Sequence, residues 1–405
     1  MKAEDSMNQV SRQADGIICF GGVDWWYHNR GHYDLQMMRE LSRRVPVLYV
    51  NSIGMRFPQL GEGSVFLRRI QRKLESFRKG LVEVRPKFYV YTPITFPSQF
   101  AKRIINHSLA RQVRREATKI GIRYPLLWIA CPPACEILDK FDSIGVVYQR
   151  TDRYEVYPSV NQDLISGYDK TLKERADITV YCSSLLINEE GASCRHAVFV
   201  DHGVDYDRFA ISTDGFGDPE DIKHLPHPRI GYIGNLETHR VDYRMLCRVA
   251  ERLPNLSFLV VGPSSLPANW CDLPNVTILP QKPYEQVPSY MAACDVLILP
   301  FNENEWIRAC NPVKLKEYLA VGRPVVSTPF EELRNYKGFV NIASGEKEFA
   351  NTIMTCLKKP EEAAFFRKRV EKETWKEKAE TAARALLEIG ISFTYTSDVQ
   401  EVAVG

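Results

Sequence analysis

None of the ten cysteines in this 405-residue chain makes a Cys-x-x-Cys pair. The nearest two, Cys131 and Cys135, are four apart, so zinc-ribbon and thioredoxin-type readings drop out. Reduced thiols inside the fold are expected. Charge of one sign is also scarce: 53 Lys and Arg against 50 Asp and Glu leave a formal net charge of +3. A whole-molecule polycation is excluded, and no RNA- or DNA-binding motif is present, so no nucleic-acid partner is expected. No apolar run reaches the roughly 18 residues that a transmembrane helix needs. The first residues are polar and lack the basic start and apolar middle of a secretory signal, so the expected location is cytoplasmic. The spacing Gly-x-Gly-x-x-Gly is absent, which removes the dinucleotide fingerprint. No internal repeat and no low-complexity tract appear.

What is present is an alternation of short apolar strands with amphipathic helices. Gly16–Phe20 reads as a buried strand, His32 to Arg43 as a helix, and Pro46–Val50 as the next strand. Further strands are expected at 126–130, 145–148, 178–182 and 197–200. Residues 205–228 are acidic, rich in Gly and Pro, and without periodicity, which is a linker signature. The rhythm restarts at Arg229–Gly234 and continues with strands at 256–261, 276–279, 295–300 and 324–327. The expected fold class is α/β, with two doubly wound Rossmann-like domains. Residues 1–204 form the first, 205–228 the linker and 229–374 the second. A long helical stretch, Glu361 to Ile389, closes the chain. Its part 375–390 is expected to return to the first domain, and 391–405 to be a frayed tail.

One stretch carries the densest chemistry. It runs from Asn311-Pro312-Val313-Lys314 through Glu317-Tyr318-Leu319-Ala320 to Gly322-Arg323-Pro324-Val325-Val326. Asn311 is suited to cap a helix and Pro312 to occupy its first position. The free N–H groups of that first turn and the positive helix end make an anion site, to which Lys314 adds a full charge. One turn on, Glu317 offers a carboxylate able to accept both hydrogens of a ribose diol. An ordinary capped amphipathic helix would also fit these residues.

The stretch resembles the donor-binding signature of retaining GT-B glycosyltransferases of family 4, in the form found in bacterial polysaccharide enzymes of the teichuronic acid type. Gly231-Tyr232-Ile233-Gly234, Leu259 to Pro263, Asn275 to Pro280 and Asp201-His202-Gly203-Val204-Asp205 extend the resemblance. The resemblance implies the GT-B fold, its two domains facing across a cleft, and a nucleoside diphosphate sugar as donor. Uridine is the first choice of base and guanosine the second. It further implies retention of configuration, no metal and no cofactor. Donor contacts would fall to Gly234, Asn235, Leu279, Pro280, Gln281, Asn311, Pro312, Val313 and Glu317. Arg240 and Lys314 would stabilise the leaving diphosphate.

The sequence departs from the family at three places. Where many members have a Glu eight residues before the second acidic position, this chain has Ala309. Where they have a phosphate-binding Arg, it has Asn235. The His often found after the fourth strand is missing from Leu127 to Pro133. Asp152, in Tyr148 to Tyr154, is the side-chain candidate for the acceptor or the developing charge; it could equally cap a helix.

The first domain offers a second constellation. Gly21-Gly22 end the first strand, and Asp24, Trp25, His28, Arg30 and His32 follow, so with Gly22 they are the acceptor-site candidates. The alternative is an aromatic core plug with solvated neighbours. Between Arg56 and Arg123 lie sixteen basic and four acidic residues, interleaved with Val65-Phe66-Leu67 and Phe96 to Phe100. Such a surface suits peripheral docking to anionic lipid headgroups and a glycan or lipid-diphosphate-linked acceptor. A nucleotide-sugar epimerase and a non-catalytic nucleotide-sugar-binding subunit are the competing readings.

Overall fold

The structure is a computed structural model that describes residues 12–28, 31–54, 63–95, 102–158, 160–215, 217–267, 269–359 and 361–394, with the side chains of 63–70 and 211–215 outside the description. The chain divides into two compact units. The first comprises the described residues of 1–182, 186–200 and 379–405, the second those of 183–185 and 201–378.

The first unit is built on β1 (Arg12–Ala14), β2 (Gly16–Phe20), β3 (Val47–Val50), β4 (Val82–Arg85), β5 (Phe88–Tyr91), β6 (Pro125–Ile129), β7 (Gly145–Arg150), β8 (Ile178–Tyr181) and β9 (Ala197–Phe199). Eight of these form one sheet in the order β4-β5-β3-β2-β6-β7-β8-β9. Only β4 runs antiparallel to its neighbour, β5. Every residue of β2, β3 and β6 is buried, as expected of parallel strands covered on both faces. The edge strand β4 instead alternates, Val-Glu-Val-Arg, with its charges outward. On one face Ile18, Phe20, Leu48, Val50, Leu127 and Ile129 pack against Leu109 and Val113 of the helix Lys102–Lys119.

The second unit holds β10 (Arg229–Ile233), β11 (Ser257–Val261), β12 (Val276–Leu279), β13 (Val296–Leu299), β14 (Val325–Ser327) and β15 (Asn341–Ile342). All are parallel, in the order β12-β11-β10-β13-β14-β15. Sequence order reverses between β10 and β13. That is the switch point at whose carboxyl ends open α/β sheets take their ligands.

Three expectations need correction. Residues 205–228 are not a free linker: Tyr206–Gly215 is a helix, and the segment belongs to the second unit. Phe209 is fully buried there and meets Tyr284 edge-on at 5.9 Å. The long C-terminal helix is two helices, Ala363–Val370 and Trp375–Glu388. The break comes where the Glu373 carbonyl accepts the Val204 N–H at 2.8 Å and Thr374 bridges Val204. Helical hydrogen bonds there give way to strand pairing. The start of the expected tail is ordered too: β16 (Ile391–Phe393) pairs in parallel with β1. Residues beyond 394 lie outside the described ones.

Candidate functional site

The carboxyl ends of β10 and β13 are tied together. The Asn302 N–H donates to the Arg240 carbonyl at 2.9 Å, the Asp242 N–H to the Pro300 carbonyl at 2.8 Å, and the Asn304 amide to the His239 carbonyl at 2.7 Å. The turn 234–242 is thereby fixed beside the switch point. Tyr318 brings the next helix, Val313–Val321, onto it. Its phenol is fully buried and accepts the Ile233 N–H at 2.9 Å. This latch sets the first turn of the helix against Gly234.

The contact is close. A Cβ on Gly234 would stand 2.2 Å from Lys314 Cε, and one on Gly262 would stand 2.0 Å from the Gly234 carbonyl oxygen. Gly262 also holds φ at +152°, a conformation that side chains disfavour. Both glycines are therefore needed for Lys314 to lie over the turn. Its ammonium sits 5.7 Å from the Tyr232 ring centroid. Arg240 is held by Glu237 at 3.0 Å and lies over the Trp306 ring at 4.4 Å.

The helix begins one residue later than expected. Pro312 is its N-cap, with extended backbone (ψ 122°) and no side-chain cap, and Val313 is the first helical residue. Asn311 does not cap the helix but lies buried one position earlier. The ring of Pro312 holds Asn311 out of the helical region, which moves the boundary. The half-buried first turn of the helix thus offers the N–H groups of Val313 and Lys314, and neither has a hydrogen-bond partner among the described residues.

Glu317 stands one turn on. It is 7% exposed, yet its carboxylate has no hydrogen bond or ion pair among the described residues. Burial pushes its pKa up to about 7, Lys314 pulling it down and Asp205 adding to the rise. Lys314 moves the other way, to about 8, through burial first and then the neighbouring Arg240, with Glu317 opposing. Both groups are poised to change charge near neutral pH. A polyanion with a diol would supply what each lacks: negative charge beside Lys314 and Arg240, and donors beside Glu317.

The remaining candidates in this unit lie at the carboxyl ends of neighbouring strands. Asn235 is half-buried, and its carbonyl accepts the Tyr232 hydroxyl at 2.8 Å. Leu279 is half-buried at the end of β12, its carbonyl accepting the Gly262 N–H at 3.1 Å, and Pro280 and Gln281 after it are exposed. Ala309 is fully buried, while Glu303 and Glu305 are exposed. No carboxylate of that segment replaces the missing one.

In the first unit, the loop after β2 is a mixture. Trp25 is not an open platform: it is 6% exposed, its ring meets Phe88 edge-on at 5.1 Å, and its backbone N–H donates to the Asn51 Oδ1 at 2.9 Å. It is a core plug, and no sugar can stack on it. Gly22 donates to the buried Asp34 carboxylate at 2.8 Å. Asp24 accepts from the Trp26 N–H at 2.9 Å and from the Ser76 hydroxyl at 3.3 Å, so it braces the turn. His28 is exposed and its ring meets His32 at 5.9 Å. Arg30 lies outside the described residues. Asp152 is half-buried after β7 and its carbonyl accepts the Tyr154 N–H at 3.0 Å. It belongs to the first unit, whereas Arg240 and Lys314 belong to the second.

Sequence reasoning missed Tyr318 as the latch, Gly262 as the floor under Gly234, and Trp306 with Glu237 as the bracket on Arg240. It also missed Lys316. That side chain is fully buried, bonded to Asp201 and the His202 carbonyl, each at 2.5 Å, and to Glu373 at 3.1 Å. Burial and the Lys316 charge hold His202 down at about 3, so it stays neutral. Apart from Tyr318, whose place beside Glu317 in the donor signature was a visible cue, and Glu237, three residues before Arg240, these partners are distant in sequence and no local pattern pointed to them.

The second unit is a doubly wound α/β domain of the GT-B fold, with a cationic helix start at its switch point and, beside it, a buried carboxylate without a partner among the described residues. Residues 227–359, all within the second unit, match the family model described as glycosyl transferases group 1. A curated relative, "Putative teichuronic acid biosynthesis glycosyltransferase TuaH" of Bacillus subtilis (strain 168), is 27% identical over 221 residues. That match takes in 50% of this chain and 55% of TuaH, so about half of each. Among solved structures, sucrose-phosphate synthase (tll1590) of Thermosynechococcus elongatus is 15% identical at a TM-score of 0.66, with 93% of this chain and 99% of that one covered. Anabaena Alr3699/HepE, solved with UDP and glucose, is 14% identical at 0.64, covering 93% and 100%. These structures share the fold.

Proposed function

We propose that the chain is a glycosyltransferase that moves a sugar from a nucleoside diphosphate sugar, UDP-linked before GDP-linked, to a glycan or lipid-diphosphate-linked acceptor in bacterial cell-surface polysaccharide synthesis. The observation that carries this reading is the pairing of Lys314 and Glu317 one turn apart at the switch point. The diphosphate lies against the Val313 and Lys314 N–H groups and the Lys314 and Arg240 side chains. The ribose diol donates to Glu317, and the base lies along Leu279 to Gln281. As the glycosidic bond breaks, charge builds on the leaving phosphate, where those cations are already in place. That phosphate takes the acceptor proton, so no strong protein base is required, and configuration is retained. Asp152 serves the acceptor side. The group 1 match, the similarity to TuaH and the UDP in the HepE structure support the donor class.

The first unit's basic surface supports a peripheral membrane role on the cytoplasmic face. No helix among the described residues is long and apolar enough to cross a membrane. Leu74 (56% exposed) and Ile104 (74% exposed) stand among Arg and Lys side chains on the helices Gly63–Arg78 and Lys102–Lys119. Exposed apolar groups within a basic field suit anionic headgroups.

The test is nucleotide release from a panel of UDP- and GDP-sugars, with and without bacterial lipid-linked glycan extracts. Acceptor-dependent release of one nucleotide supports the proposal. Conversion of the donor alone to an epimer, or tight nucleotide binding with no turnover on any acceptor, rejects it.

A further inference from the structure

Seven of the cysteines are buried; Cys194, Cys247 and Cys271 are half exposed. The last two meet. Tyr243 and Cys247 are one turn apart on the helix Tyr243–Arg252, hence on one face. The loop between β11 and β12 lies over that face. The Trp270 ring meets the Tyr243 ring edge-on at 6.1 Å, and the Cys247 thiol donates to the Trp270 carbonyl at 3.2 Å. Cys271 is the next residue in the chain. After burial, its thiol is the strongest influence on that of Cys247, which is pushed up to about 12.

We propose that Cys247 and Cys271 are a reversible disulfide pair, closed by thiol–disulfide exchange with a small-molecule disulfide. The Cys247 thiol contacts the peptide group that leads into Cys271 and interacts with the Cys271 thiol itself, and closure needs Cys247 to rotate off the carbonyl. Cys271 reacts first, because the Cys247 proton is committed to that carbonyl. Its thiolate attacks the small disulfide, forms a mixed disulfide and expels one small thiolate. The Cys247 thiolate then attacks the Cys271 sulfur, and a second small thiolate leaves. The protein loses two electrons and two protons, and the reagent gains both as two thiols. The bond ties the helix that follows the turn 234–242 to the loop whose Pro263 and Ser265 hydrogen-bond Leu236 at 2.9 Å each. Both supports of the donor turn become covalently linked. This inference stands independently of the glycosyltransferase reading.

The test uses the full chain with Cys194→Ser as background, exposed to oxidised glutathione, acid-quenched, alkylated and digested without reductant. A peptide pair joining Cys247 to Cys271, lost on adding dithiothreitol, is expected. Adding Cys247→Ser should leave a stable glutathione adduct on Cys271 that the parent does not retain. Recovery of both cysteines as alkylated thiols, or of equal adducts on each with no cross-link, overturns the proposal.

Discussion

Replacing Glu317 by alanine isolates the proposed ribose contact. The carboxylate is nearly buried and has no protein partner among the described residues, so no ion pair or hydrogen bond is lost with it. Two hydrogen bonds from a diol to a charged acceptor are worth about 1.5–3 kcal/mol each in such a setting. With a pKa of about 7, the group is half ionised at pH 7, so charging it for binding costs only about 0.4 kcal/mol. The net loss is on the order of 3 kcal/mol, a rise in Kd of about 100-fold. Calorimetric titration with UDP measures it, and 2′,3′-dideoxy-UDP is the control, because that ligand has no diol to lose. An unchanged Kd for UDP, or an equal loss for the dideoxy ligand, would refute the ribose assignment.

Glu317→Gln should raise thermal stability at pH 8 and leave it unchanged near pH 4. The folded carboxyl has a pKa near 7 and the unfolded one near 4.5, so the wild type loses stability as pH rises through that window; equal melting temperatures at pH 8 would count against it. Lys314→Met should weaken UDP by about 2 kcal/mol and leave uridine unaffected, as read by the same titration. Wild-type UDP binding at pH 8.5 should also take up protons, because the phosphate raises a lysine that burial has pushed down to about 8; heats measured in buffers of different ionisation enthalpy show this. Gly262→Ala should destabilise the second unit by more than about 2 kcal/mol, because its Cβ meets a backbone oxygen rather than a movable side chain; chemical denaturation tests it. Lys316→Met should cost about 1–3 kcal/mol, because the His202 carbonyl loses its buried donor while Lys378 still pairs with Asp201 and Glu373; denaturation again reads it.

The α/β rhythm was visible because parallel strands buried on both faces are short unbroken apolar runs. β2 and β12 begin and end where the pattern places them. The edge strand β4 and the short β1, β15 and β16 carry no such run and went unseen; β5, Phe88-Tyr89-Val90-Tyr91, does carry one and was passed over. The helix proposed to hold the donor was visible for a different reason: Asn311 to Gly322 packs a lysine in the first turn, a carboxylate and a glycine terminator into one local segment. What local sequence withholds is anything made by distant partners. Nothing near Gly262 announces that its Cβ would strike Gly234. Nothing near Trp25 separates a sugar platform from a core plug, since both are aromatic rings after a glycine turn; Phe88 and Asn51 decide it. Residues 205–228 looked like a linker because their helix is short and acidic, and only the burial of Phe209 shows that it is anchored.

A crystal structure with bound UDP tests the central claim most directly. The account predicts the diphosphate on the Val313 and Lys314 N–H groups, with the Lys314 ammonium alongside and both ribose hydroxyls within hydrogen-bond distance of Glu317. Nucleotide bound elsewhere, or a ribose turned away from Glu317, would contradict it.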